Sequence, residues 1–177
     1  LWASLLQEFC PVDHSLRRKI FFDLADPEKR TPQDIARALE LIAAFEKCFE
    51  VILGLNEKEA YEVGEVLGLN TANRTRDGLA ALALEIQKRT AVGTLVVHPV
   101  ACALATSGGA VALVDGPFVE KPLITTGAGD HFNSGFCLGK LLGFDNATSL
   151  LCGVSASGHY VRSAQSPSVE DLAEMMR

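Results

Sequence analysis

Apolar and polar positions along the chain switch between two spacings, one close to a helical turn and one suited to buried strands, and the switching predicts alternating elements. Trp2 to Phe9 is amphipathic and predicted helical. Lys19 to Leu24 reads as an apolar strand broken by Asp26-Pro27. Thr31-Pro32-Gln33-Asp34 sets a capping hydroxyl before a proline at the first helical position, opening a helix through about Lys47 with Ile35, Leu39, Ile42 and Phe45 inward. A short buried strand, Phe49 to Leu53, comes next. The helix from Asn56 to about Leu67 ends at Gly68, and Thr75 to Arg89 forms another with Leu79, Leu82, Leu84 and Ile86 as its apolar stripe.

Thr94 to His98, Cys102 to Thr106 and Ala110 to Val114 read as strands, with Ser107-Gly108-Gly109 as a hairpin turn. Phe118 to Pro122 is a last strand or extended piece. Two helices follow, about Gly129 to Leu142 and Asn146 to Val161, joined at Gly143-Phe144-Asp145, and Ser168 to Met176 is a terminal helix capped by Ser168. The β-α-β-α order implies an α/β domain with a mainly parallel sheet and helices on its faces.

Composition narrows the class. An apolar fraction of 48% and a charged fraction of 21% over 177 residues suit one α/β domain, residues 1–177, able to bury a core. The net charge of −6, with no basic stripe to offset it, argues against nucleic-acid binding; Arg17-Arg18-Lys19 is a solvated lead-in to the first strand. No apolar run reaches membrane-spanning length and no signal peptide is visible, so no membrane partner is expected and a cytoplasmic location is the default. Cys10, Cys48, Cys102, Cys137 and Cys152 are odd in number and widely spaced, so they read as reduced core residues. His14, His98, His131 and His159 lack metal-ligand spacing, and only His131 is expected near a site.

The chemistry concentrates in Ile124-Thr125-Thr126-Gly127-Ala128-Gly129-Asp130-His131-Phe132-Asn133, where a glycine-rich turn meets an acidic residue at the mouth of a helix. First-turn amides without intrahelical acceptors, together with the aligned peptide dipoles, suit such an end to a phosphate or a developing oxyanion. That field favours the ionised form of Asp130, which could orient a substrate hydroxyl and accept its proton. The plainer reading is a loop shaped by Gly127 and Gly129, with Asp130 as a first-turn acid. A dinucleotide fingerprint fits poorly, since Phe132 stands where a third glycine is needed. Upstream, Asn56 with Glu59 three residues later forms a capping-box pattern. Gly135 and Gly139, with Ser149, Gly153 and Ser157, repeat at one-turn spacing and allow close approach of a helix or a flat ligand.

Thr125 to Phe136 resembles the C-terminal signature of the ribokinase-like, PfkB-type carbohydrate kinases. The resemblance implies that Gly127, Ala128 and Gly129 form an anion hole for the transferring phosphate and that Asp130 is the catalytic base. Val51 to Ala60 is similar to the family's strand followed by N-x-x-E, which implies that Asn56 and Glu59 organise magnesium-bound water. Likeness to the family's adenine pocket implies nucleotide contacts from Thr126, Gly153 and Ser157. Asp23 through Arg30 resembles a strand-end element with an Asp-Pro pair, to which no contact is assigned. Two departures are visible. Ile124 stands where the family usually has an aspartate that contributes to monovalent-cation binding, and His98-Pro99-Val100 replaces the usual T-x-G nucleotide loop.

The resemblance runs from about Trp2 to the end but matches only the later part of a family member. The chain opens at Leu1 without an initiator Met, so a partial protein is expected: a ribokinase-like three-layer sandwich with the N-terminal strands and the small β-sheet lid absent. The implied activity is transfer of the γ-phosphoryl of ATP, with magnesium (Mg2+), to a hydroxyl of a sugar or related small molecule. The lid often mediates dimerisation in the family, so a homodimer is expected of the full-length form. A truncated, non-catalytic nucleotide-binding fragment and a nucleoside or vitamin kinase on the same scaffold are the alternatives.

Overall fold

Side-chain caps start five helices at the residues whose chemistry calls for them, Asp145 accepting from Thr148 N in one of them. Thr31 accepts from Asp34 N, Asn56 from Glu59 N, Thr75 from Gly78 N and Ser168 from Asp171 N, each satisfying a first-turn amide. The computed structural model describes residues Leu1–Cys10, Arg18–Leu24 and Asp26–Arg177, with no account of the Phe9 side chain. His14, Arg17 and, within the Asp23 to Arg30 element, Ala25 lie outside the described residues. Among those described, the α-helices are α1 (Trp2–Phe9), α2 (Pro32–Ala44), α3 (Glu57–Val66), α4 (Arg76–Thr90), α5 (Ala128–Leu141), α6 (Asn146–Ser163) and α7 (Val169–Met175). The strands are β1 (Arg18–Asp23), β2 (Phe49–Leu55), β3 (Thr94–Val97), β4 (Cys102–Ser107) and β5 (Ala110–Asp115).

The chain divides into two compact units, Leu1–Val97 with Thr106–Val111, and His98–Ala105 with Ala112–Arg177. In the first unit β1, β2 and β3 run parallel, with Ile20 opposite Val51 and Ile52 opposite Thr94. Both faces of β2 are covered, and its residues Val51 to Leu55 are all buried. Ile35, Leu39 and Ile42 of α2 supply one buried helix face. Leu79, Leu82, Ala83 and Ile86 supply that of α4. The expected Leu84 is only half-buried: the stripe advances by three and four residues, so Ala83 takes the inward position.

Three further expectations change. The helix predicted to reach Lys47 ends at Ala44, and Phe45–Lys47 tightens into a 3-10 turn that still buries Phe45. That turn aims the Glu46 carboxylate at the amides of Val51 (2.9 Å) and Gly93 (2.6 Å), which ties the starts of neighbouring strands. Cys10 and Cys48 are not reduced core thiols but a disulfide, with Cα atoms 5.4 Å apart across a separation of 38 residues. Cys10 ends α1 and Cys48 follows the 3-10 turn, a proximity that spacing alone does not reveal. Cys102, Cys137 and Cys152 are free of disulfides, and burial pushes the Cys137 thiol up to about 11. Phe118 to Pro122 is a loop rather than a strand. Pro117 and Pro122 lack amide donors, and Arg162 takes the carbonyls of Pro117 (2.8 Å) and Phe118 (3.3 Å) instead.

Strand β4 leads into β5 through Gly108 and Gly109, first-unit residues that both stand in the left-handed region, as a tight hairpin requires, and the helices that follow belong to the second unit. Phe132, Phe136, Leu150, Cys152, Val154 and Ala156 form its helical core. There α5 and α6 touch through their glycines. A Cβ on Gly135 would lie 2.5 Å from the Cys152 carbonyl oxygen, and one on Gly139 would lie 2.7 Å from the Ser149 Cα.

Candidate functional site

Gly127 stands at φ +90° as the N-cap of α5, a conformation open to glycine at no steric cost. Ala128, Gly129 and Asp130 then fill the first turn, and no described side chain caps it. Among the described residues, these helix-start amides are therefore left to the backbone or to a ligand. Ala128 N donates to the Thr125 carbonyl (3.1 Å) and closes the turn. The Asp130 side chain is exposed, and Ser134 Oγ donates to the Asp130 carbonyl (2.8 Å). This local geometry provides amide donors, helix-end dipoles and an accessible carboxylate within four residues.

The C-terminal half of α6 holds the segment that leads into this turn. Arg162 secures Pro117 and Phe118, the Leu123 amide donates to the Val161 carbonyl (2.8 Å), and Tyr160 Oη donates to the Thr126 carbonyl (3.1 Å). The His131 ring stacks on Tyr160 at 3.7 Å between centroids and 12° between planes. His131 Nδ1 lies 2.8 Å from the Gly127 carbonyl. On the other side, a Cβ on Gly129 would meet His98 Cε1 at 3.3 Å, and the His98 ring rests against Phe132. Sequence reasoning flagged His131 by adjacency alone. It missed Tyr160, for which no local signal exists.

Of the residues expected to touch a nucleotide, Thr126 belongs to the turn through its carbonyl. Gly153 is buried, and the Phe132 ring lies 2.7 Å from where its Cβ would be. Ser157 sits one turn farther along α6, half-buried. The small-residue face is thus used for close helix packing at Gly135, Gly139 and Gly153.

Asn56 and Glu59 lie in the first unit. The capping box is complete: Glu59 N donates to Asn56 Oδ1 (2.9 Å) and Asn56 N to Glu59 Oε2 (2.8 Å). Glu59 Oε1 also accepts from Asp26 N (3.3 Å), so both carboxylate oxygens serve backbone amides. Burial raises the Glu59 pKa above the ordinary carboxylate value, against the lowering effect of these amide bonds. Among the described residues, no group of three or more His, Cys, Asp or Glu could hold a metal ion. A carboxylate whose oxygens each already serve an amide fits hydrogen bonding to metal-bound water better than direct ligation.

Glu59→Gln is expected to destabilise the chain by about 1–2 kcal/mol, because one amide oxygen cannot serve both backbone donors and the new NH2 faces the other. Melts across pH check this. A raised native pKa means that the native state binds the proton more tightly than the unfolded state. The wild type therefore loses stability from this group as pH rises through that pKa, and the variant lacks the slope. An unchanged melting temperature and pH slope would remove the buried-cap account.

The parallel β-α arrangement and the glycine-opened helix define the class of fold found in ribokinase-like kinases. Ribokinase from Thermotoga maritima is similar at a TM-score of 0.68 and 17% identity, covering 98% of this chain and 51% of that one. Phosphofructokinase-2 from Escherichia coli is similar at 0.66 and 16%, covering 99% and 61%. Adenosine kinase from Schistosoma mansoni is similar at 0.66 and 23%, covering 96% and 49%. The chain belongs to the prokaryotic ketohexokinase family, whose model matches residues 1–177. A ketohexokinase from Haloferax volcanii is 27% identical over 169 residues, 96% of this chain and 44% of that protein. The chain therefore spans less than half the length of that relative. No helix among the described residues is long and apolar enough to cross a membrane.

Proposed function

We propose that this chain carries the phosphoryl-transfer site of an ATP-dependent sugar kinase whose acceptor is a ketohexose hydroxyl. The observation that carries this reading is the Gly127-Ala128-Gly129-Asp130 turn, a left-handed glycine opening a helix with an exposed carboxylate in its first turn. Family membership and the name of the Haloferax volcanii relative support the substrate class. In the proposed step the Asp130 carboxylate takes the proton of the acceptor hydroxyl as its oxygen bonds to the γ-phosphorus. The bond from that phosphorus to the bridging oxygen breaks, and ADP leaves with the electron pair. The amides of Gly127 and Gly129, in a turn that the Ala128 amide closes onto Thr125, stabilise charge on the transferring group, and Thr126 and Ser157 are assigned to the nucleotide side, Gly153 being covered by Phe132. Magnesium, when bound with the nucleotide, offsets phosphate charge; Asn56 and Glu59 would hold water around it. A cytoplasmic location, no nucleic-acid or membrane partner, and a homodimer of the longer form belong to the same proposal.

The test is calorimetric titration of this chain with Mg·ATP, together with ADP release in the presence of a ketohexose such as fructose, or of adenosine. Gly129→Val, whose side chain would press on the His98 ring, should abolish nucleotide binding with circular dichroism unchanged. Ketohexose-dependent ADP release supports the kinase. Release driven by adenosine instead would make it a nucleoside kinase, and binding without any turnover would leave a nucleotide-binding fragment.

A further inference from the structure

We propose that His131 and Tyr160 form a clamp that fixes the peptide planes on either side of Gly127, making them positioning residues for the anion hole; this rests on the reading of that turn given above. Tyr160 Oη donates to the Thr126 carbonyl at 3.1 Å. In a planar trans peptide the carbonyl of Thr126 and the amide of Gly127 point in opposite directions, so holding the first aims the second. The Gly127 carbonyl accepts from both the His131 backbone amide (3.1 Å) and His131 Nδ1 (2.8 Å), which holds the following plane and with it the Ala128 amide that closes the turn onto the Thr125 carbonyl (3.1 Å).

The ring nitrogens complete the arrangement. A carbonyl can only accept, so Nδ1 carries a proton, and Nε2 lies within hydrogen-bond distance of Ser166 Oγ at 3.0 Å. The parallel stack at 3.7 Å locks the two rings to each other. A Cβ on Gly127 would meet Tyr160 Oη at 3.3 Å, so the clamp also closes over the one residue in the turn with a left-handed backbone. Glycine gives a peptide plane freedom to rotate, and a turn built on it needs an outside contact to choose one orientation. Side chains from α5, from α6 and from the segment after α6 supply that contact. Donors fixed in advance need no reorganisation as charge develops on the phosphoryl group.

Tyr160→Phe keeps the stack and deletes the hydroxyl, and His131→Phe keeps the stack and deletes both ring nitrogens. Each is expected to lower kcat by about tenfold to a hundredfold, with KM for ATP within about threefold, because misdirected donors cost the transition state more than the ground state. A second readout uses inorganic phosphate alone: amide chemical shifts of Gly127, Ala128 and Gly129 should respond to phosphate in the wild type and much less in either variant. Wild-type kcat, or an undiminished phosphate response, in both variants overturns the clamp while leaving the kinase reading in place. If the wild-type amides respond to phosphate but no sugar is turned over, the kinase reading falls and the amide comparison alone decides the clamp. If the wild-type amides do not respond, the anion hole and the clamp fall together.

Discussion

Asp130→Asn is expected to lower turnover by roughly two or more orders of magnitude while the chain stays folded and binds Mg·ATP. The substitution preserves size and keeps an oxygen at the third position of α5, so the helix start is undisturbed. It removes the only lone-pair arrangement there that can take a proton from an acceptor hydroxyl, since a neutral amide is not a base at working pH. The Asp130 side chain is exposed, so its loss uncovers no buried partner and the fold has little stake in its charge. The measurement is kcat for ADP release with a ketohexose, beside calorimetric affinity for Mg·ATP. Turnover near that of the wild type would take the base role away from Asp130. Equal losses of turnover and of nucleotide affinity would make it a binding group.

The largest stability effect is expected at Gly135. Its missing side chain lets α5 lie against the backbone of α6: a Cβ there would sit 2.5 Å from the Cys152 carbonyl oxygen, 2.9 Å from the Cys152 carbonyl carbon and 2.8 Å from the Ala156 Cβ. The atoms in the way are mostly backbone, which cannot swing aside as the end of a flexible side chain would. Gly135→Val must therefore push the helices apart or distort one of them, with an expected cost of about 3 kcal/mol or more. For a chain of this size that corresponds to a fall in melting temperature of roughly 6–12 °C. Leu141→Ala serves as a control on the same helix, because Leu141 is 73% exposed and its loss should shift the transition little. A Gly135→Val melt within a degree or two of the wild type would show that the helices are not held at backbone contact.

The two predictions touch the first turn and the middle of one helix, and α5 links them. Gly135, Gly139 and Gly153 set how closely α5 and α6 approach, and that approach brings Tyr160 of α6 to the Thr126 carbonyl at the start of α5. Close packing between the helices is thus a precondition for ordering the turn. The flat-ligand alternative for these small residues has a direct competitor in the observed packing, since Phe132 already occupies the space over Gly153.

Local chemistry was legible in the sequence wherever the partners lie within a few residues. The caps at Thr31, Asn56, Thr75 and Ser168, the turn at Gly127-Ala128-Gly129 and the first-turn position of Asp130 all follow from side-chain and backbone preferences that act across one helical turn. The apolar spacing likewise marked the buried faces of α2 and α4, missing only the exchange of Leu84 for Ala83. Tertiary structure alone decided the Cys10–Cys48 disulfide, the fastening of Phe118 by Arg162, the second backbone bond of Glu59 to Asp26 and the closure of His131 and Tyr160 over the turn. Those partners are about 30 to 45 residues apart, and no periodicity relates them. Their meeting depends on how closely helices and strands pack, which is a property of the assembled core rather than of any stretch of chain.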